Sequence, residues 1–300
     1  MSHILSLVKR DIKIFYRTKT NIFFSLLGVL ILVVLHFAIF RNMYADNWNF
    51  VVSQIPGLAP MEQQYSRWVS DSLMFAAIIP IGSLTITLTT LGLIVSDKET
   101  NVLSDLLVSP IRRNSLFLSY LISSFIVGFV MLLGFVVFFQ VYFLIVYGTW
   151  FTLMQIGMIL LALIGSLIFG NIFMLLVLSF VKTEQSLGSV GAIVGTFSGF
   201  VGGAYIPLAM FGDAVGSFFS ALPFAQLTVL ARRAFLMELE SVTPLTHEII
   251  SGEIARGFGI ELWLGDFHVP LWGAALITTG FTLIFLICLI LRFGKMKKAD

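Results

Sequence analysis

Few side chains in this sequence are spaced for catalysis. His247-Glu248-Ile-Ile-Ser251 opens like the zinc-protease helix HExxH, but a serine stands where the second metal-binding histidine is required. The only Gly-Lys pair, Gly294-Lys295, is followed by methionine, so there is no G-x-x-x-x-G-K-[ST] loop to cradle a phosphate. Gly257-Phe-Gly259 lacks the third glycine of a dinucleotide fingerprint, and no G-x-S-x-G elbow supplies a nucleophile. A lone cysteine, Cys288, allows neither an intrachain disulfide nor a cysteine-based metal centre. The chain has no visible means of hydrolysing ATP, and no metal or cofactor is expected on it.

The elements that would have to carry any site are membrane helices. Of the 300 residues, 58% are apolar, 11% are charged and 30 are Phe, whereas soluble domains carry about 25% charged residues. The net charge of +2 gives no overall basic excess for nucleic acid. A bilayer core needs roughly 20 apolar residues per helix, and such runs place spans at 21–40, 72–95, 115–147, 150–181, 186–206 and 271–291. Between Asn114 and Val181 no Asp, Glu, Lys or Arg occurs, and Gly148-Thr149 marks the turn between two long helices. With six spans, 13 basic and 6 acidic residues fall on the side of both termini, against 5 and 10 on the other, or +7 against −5. Basic flanks favour the cytoplasm, so both termini are expected there. Segment 207–231, broken by Asp213 and Pro223, then reads as an outer re-entrant hairpin, with Arg232 and Arg233 as local exceptions to the charge rule. Asn42–Asp71 and 232–270 remain as outer stretches, too short for a domain with its own core. The fold expected is an all-α integral membrane protein forming one domain over 1–300.

These spans contain no Asp, Glu, Lys or Arg and one histidine, His36, which argues against a proton-driven transporter or an ion channel. Residues 2–18 form an amphipathic elbow helix, with Ile4, Leu5, Val8, Ile12 and Phe15 on one face and Lys9, Lys13 and Arg17 around the other. In 97–109, Ser96 and Glu99 make a capping box, Val102, Leu103, Leu106 and Leu107 share a face, and Pro110 ends the helix. Such a helix either tucks against the span ends or docks a cytosolic partner, with Asp97, Glu99, Asp105, Arg112 and Arg113 as polar rim. Gly191, Gly195, Gly199 and Gly203 recur every fourth residue, leaving a face where another helix backbone can approach, within one subunit, at a subunit interface or along a substrate path. Ser83, Thr87 and Thr90 are the candidate lining of such a path, and Phe-rich spans suit a lipophilic cargo as well as they suit lipid.

Taken together, these features resemble the permease subunit of ABC-2 type exporters over essentially the whole chain. Lys98-Glu99 through Leu106-Leu107-Val108-Ser109-Pro110-Ile111-Arg112 is similar to the family's R-E-x-G-T-L-E-x-L-L-V-S-P-x-x-R loop, with Asn101, Val102 and Ser104 where the family often has Gly, Thr and Glu. Gly203-Ala-Tyr-Ile-Pro207-Leu is similar to G-A-x-x-P-L, and Pro223 and Arg232 survive from N-P-L-T-Y-A-x-D-A-L-R. Within the family the chain looks most like bacterial drug-resistance and haemolysin/cytolysin export permeases. The resemblance implies a homodimer in the bacterial cytoplasmic membrane, among its lipids, with separate subunits that bind ATP and Mg. It also makes 97–109 a coupling helix seated in the ATPase. The competing reading is a membrane immunity or assembly protein that only binds its target.

Overall fold

A computed structural model describes residues 2–55, 62–108, 113–205, 211–243, 252–265 and 267–296. Helix α1 spans Ser2–Arg17; α2 (Lys19–Leu35) runs through a π-turn at His36–Phe40 into α3 (Arg41–Ser53). Helix α4 (Gln63–Leu91) continues through Gly92 into α5 (Leu93–Glu99), and α6 (Val102–Val108) follows. Next come α7 (Arg113–Tyr147), α8 (Leu153–Leu178), α9 (Glu184–Val201), α10 (Asp213–Ser220), α11 (Pro223–Phe235), α12 (Leu239–Val242) and α13 (Glu253–Gly257). A small antiparallel hairpin, β1 (Leu262–Leu264) with β2 (Phe267–Val269), precedes α14 (Leu271–Met296).

The chain is an all-α, multi-span membrane protein. Among the described residues, five helical stretches are long and apolar enough to cross a bilayer: Lys19–Ser53, Gln63–Glu99, Asn114–Tyr147, Leu153–Leu178 and Leu271–Arg292. The α10–α11 pair, bent by 76°, makes a sixth if counted as one span. Helix α9, expected as a full span, is not among them, because its first turn, Glu184-Gln185-Ser186, is polar and only 18 residues are helical. Helix α1, the end of α5 and the end of α14 meet at one end of the bundle, called basal below; the π-turn and the α7–α8 turn lie at the other, distal end.

Helix α4 is the axis. From Trp68 to Thr90 only Thr89 is not buried, and α2, α3, α7, α8, α9 and α11 all pack on it. Small residues permit this approach: Gly82 faces Leu132 and Val29, and Gly170 of α8 lies against Ser83 and Thr87. Ser83, Thr87 and Thr90 are buried and hydrogen-bond to carbonyls of their own helix, at Pro80, Ser83 and Ile86, which satisfies hydroxyls in an apolar setting. In this conformation all three are buried against neighbouring helices. Many phenylalanines do the same: Phe75 stacks on Phe139 at 4.2 Å, and Phe169, Phe173, Phe224 and Phe285 meet in a second group.

Several expectations are corrected. Within the stretch Asn42–Asp71, expected to lie outside the membrane, 42–53 and 63–71 are helix continuous with the first two spans, so the spans hold ionisable groups, Asp71 among them. In α1 the buried face is Leu7, Val8, Asp11 and Phe15, turned against α7, while Leu5 is exposed. No capping box forms at Ser96, because α4 continues into α5 and places Ser96 inside a helix. The break falls at Asn101, whose φ of 64° is left-handed; a short polar side chain tolerates that region best after glycine. Within the glycine ladder, Gly203 lies beyond the end of α9 with φ 63°, and Gly199 is covered by the ring of Tyr205. Gly191 touches Leu88, whereas Gly195 has nothing within 4 Å. Pro207, Pro110 and Arg112 lie outside the described residues.

Arg232 is not a stray charge. Only 3% exposed, it donates to the carbonyls of Gly203 (2.7 Å), Gly259 (3.1 Å), Phe258 (3.2 Å) and Leu73 (3.4 Å). It thereby fastens α11, which starts at Pro223, to α4 and to the turns after α9 and α13. Gly259 has φ 65°, and an added Cβ would sit 2.3 Å from this guanidinium. Gly259→Ala should therefore cost about 1–3 kcal/mol and lower the thermal midpoint in detergent, whereas Gly257→Ala, with nothing within 4 Å, should leave it unchanged.

Candidate functional site

Three consecutive charges end the long second span: Asp97, Lys98 and Glu99. Successive helical side chains point about 100° apart, so each reaches a different neighbour. Asp97, 5% exposed, accepts two bonds from Arg10 of α1 (2.7 and 2.8 Å) and one from the Tyr120 hydroxyl of α7 (2.5 Å). Lys98 Nζ donates to the carbonyls of Leu178 (3.4 Å) and Val181 (3.5 Å) at the end of α8. A Glu99 oxygen accepts the backbone N–H of Glu184 at 2.6 Å, meeting one of the unpaired amides at the start of α9, where negative charge is favoured. Arg292 of α14 completes the ring, donating to the Ser179 carbonyl (3.0 Å) and lying 3.7 Å from the Phe180 ring centroid. One turn of α5 thus ties α1, α7, α8 and α9 together.

Helix α6 follows directly. Its apolar side, Leu103, Leu106 and Leu107, is half-buried against the basal cluster that includes Leu7, Leu91, Ile94 and Leu178, and Val102 is also half-buried. Leu106 and Leu107 therefore do not project outwards as a pair. The exposed side is Ser104, Asp105 and Val108, the last 87% exposed. Of the residues expected beside Asp105 on a polar rim, Asp97 is turned inward to Arg10 and Tyr120, whereas Glu99 stays at the exposed surface with its bond to the Glu184 amide. A cleft of about 530 Å³ opens beside this ring, between the end of α8 and the start of α9, lined by Leu176, Val177, Phe180, Val181, Lys182, Ser186 and Val190.

Asp11 adds a titratable group. It is 2% exposed, 3.4 Å from Arg10 and 3.5 Å from the Ser123 hydroxyl. Burial pushes its carboxyl up to about 7, with Arg10 opposing. Arg10 is itself raised: burial works against its charge, but the bonds to Asp97 and Tyr120 outweigh that.

A second ionic cluster lies at the distal end of the same helix. Asp71, with no exposed surface, is met by His36 Nε2 (2.6 Å), Arg41 (3.1 Å) and the hydroxyls of Tyr142 (2.7 Å) and Tyr147 (2.5 Å). The sequence reading missed Arg10, Lys98 and Tyr120 as partners, and it missed Asp71 by starting the span one residue later. The uninterrupted run Gln63–Asp71, free of Gly and Pro, was the available signal. No group of three His, Cys, Asp or Glu able to hold a metal occurs among the described residues.

The family model described as ABC-2 family transporter protein matches residues 41–292. No curated protein and no solved structure matches the chain.

Two outcomes are expected at the basal ring. Asp97→Asn should remove the short ion pair and leave Arg10 only Asp11, 3.4 Å away, cost on the order of 1–2 kcal/mol, and raise tryptic cleavage within α1 about tenfold. Because the Asp11 carboxyl is raised in the folded state, docking of α1 should be strongest below about pH 4, weaken up to about pH 7 and level off above. Asp11→Asn should remove that dependence and slow cleavage at pH 7.5 by about tenfold.

Proposed function

The chain is a member of the ABC-2 transporter family, and from that premise we propose that it is the membrane-spanning permease of an ATP-driven exporter, energised by a separate ATP-binding subunit. The observation that carries this reading is the fan of Asp97, Lys98 and Glu99 into α1, α7, α8 and α9, one residue pair before the exposed side of α6. A partner pressing on Ser104, Asp105 and Val108 moves α5, and α5 carries the basal ends of four other helices with it. On this reading the basal end is cytoplasmic, as the Lys and Arg bias indicates, and ATP and Mg belong to the partner. The bent α10–α11 pair is a hairpin re-entering from the outside, because Phe224 touches Phe173 well along α8 while Phe235 accepts a bond from Gln155 near its start.

The cargo is amphipathic or lipophilic, a drug, toxin, peptide or lipid-like molecule, since the helices offer almost no uncompensated charge to a polar solute. The working unit is a homodimer in a bacterial cytoplasmic membrane, with the uncovered Gly188 and Gly195 of α9 free for close approach of a second copy.

Co-reconstitution with the cognate ATP-binding subunit tests the assignment. Val108→Asp leaves the fold intact because the side chain is 87% exposed, yet it should lower permease-stimulated ATP hydrolysis by about tenfold, or 1.4 kcal/mol of docking energy. Unchanged stimulation would remove α6 as the docking element. Absence of any coupled hydrolysis in the unmodified pair would favour a membrane protein that binds without transporting.

A further inference from the structure

Beside the basal ring, the cleft of about 530 Å³ between the end of α8 and the start of α9 is left open. That volume falls within the range of about 300–1,000 Å³ typical of ligand clefts. Its wall changes character along its length. Leu176 and Val177 belong to the last turn of the bilayer-crossing stretch Leu153–Leu178, whereas Lys182 and Ser186 lie beyond it and are exposed. Phe180, between them, is 62% exposed despite its size, and Val190 lines the cleft from α9. The stretch Leu271–Arg292 ends at the same level, since Arg292 reaches the Ser179 carbonyl. The cleft therefore straddles the edge of the hydrocarbon, apolar on one side of that edge and cationic on the other.

Three cations gather here. Lys182 lines the cleft, and Lys98 donates to the carbonyls of Leu178 and Val181. Arg292 lies against the Phe180 ring, with its Nε buried and without an acceptor. Among the described residues none of the three is paired with a carboxylate. Capping of α8 explains only part of this, because the end of a helix carries about half a negative charge, which one of these cations more than offsets. The carboxylates near the cleft are Glu99, held at the Glu184 amide, and Glu184 itself, exposed on the first turn of α9. With the partial positive charge at the start of α9 counted as well, roughly one positive charge is left over. A phospholipid with a charged phosphodiester supplies one negative charge at headgroup level and an acyl chain beside it. A free anion would leave Leu176, Val177 and Val190 uncovered, and a neutral apolar ligand would leave the cations unmatched.

We propose that the cleft between α8 and α9 binds an anionic phospholipid of the surrounding leaflet, its phosphate held by Lys182 and Arg292 and an acyl chain laid along Leu176, Val177 and Val190. Such a site requires only a chain that spans a membrane, with or without transport or an ATP-binding subunit. The bound lipid bridges α8 and α9 beside the bond from Glu99 to the start of α9, so the composition of the leaflet bears on how firmly those two helices are held together.

The test uses the full chain with Cys288→Ser and a reporter Ser186→Cys, in nanodiscs of phosphatidylcholine alone and of phosphatidylcholine with phosphatidylglycerol in equal parts. Labelling by a neutral maleimide is normalised to that of Gln185→Cys, exposed on the same turn but outside the cleft lining, which cancels the effect of the surface potential. Phosphatidylglycerol should slow the normalised rate about tenfold, as expected of a site occupied about nine-tenths of the time. Lys182→Gln, at an exposed position, and Val190→Trp, which fills the apolar half, should each remove the difference between the two bilayers. Soluble glycerophosphoglycerol added to the phosphatidylcholine discs should leave the rate unchanged. Equal rates in the two bilayers, a difference that persists in Lys182→Gln or in Val190→Trp, or equal protection by the soluble headgroup would overturn the proposal.

Discussion

A charge at the edge of hydrocarbon has to be paired before the helix that carries it can pack. In this protein one helix meets that constraint at both ends. Asp71 and Asp97 lie on the nearly continuous α4–α5 rod, about 39 Å apart at 1.5 Å per residue, and each is buried under bonds from other helices. The first span is anchored distally through His36 and Arg41, and the helix preceding it basally through Arg10. Between the anchors α4 carries the small and hydroxyl residues that let six neighbours close around it. The rod is therefore the one element whose position fixes most of the others.

The two ends differ in what they can transmit. Basally the bonds spread outwards from one turn of α5 to separate helices, and the half-buried α6 sits beside that turn. Distally the bonds converge on a single carboxylate, two residues before the Leu73 carbonyl that accepts from Arg232. An ATP-driven permease needs a basal end that moves as one body and a distal end that can part. Spread bonds suit the first requirement, and a single convergent clasp suits the second.

The spans themselves were legible because the bilayer imposes a length and a polarity that composition reveals directly. The break between α7 and α8 showed in Gly148, whose φ of 68° requires a residue without Cβ strain. What composition concealed was where helices continue past their charges. Arg41 and Asp71 look like span ends when each is taken alone, yet they neutralise each other across α3 and α4, so both helices run on. Ser96 and Glu99 carry the pattern of a helix start, but a cap acts only where a helix begins, and here the preceding helix had not ended. Leu106 and Leu107 read equally well as a docking edge or a packed face, and in the structure they lie half-buried against the basal cluster. Arg10 gave no signal at all, because its partner lies 87 residues away.

Coupling through the basal ring requires that α6 and the basal end of α9 move as one body through Glu99. It is tested most directly by the spin-label distance between Ser104 on α6 and Gln185 on α9, measured with the ATP-binding subunit present, with and without nucleotide. The distance should stay unchanged in the unmodified protein and become nucleotide-dependent once Glu99→Ala removes the bond to the Glu184 amide. A distance that shifts by several ångströms (roughly one helical turn at most) while Glu99 is intact would contradict it.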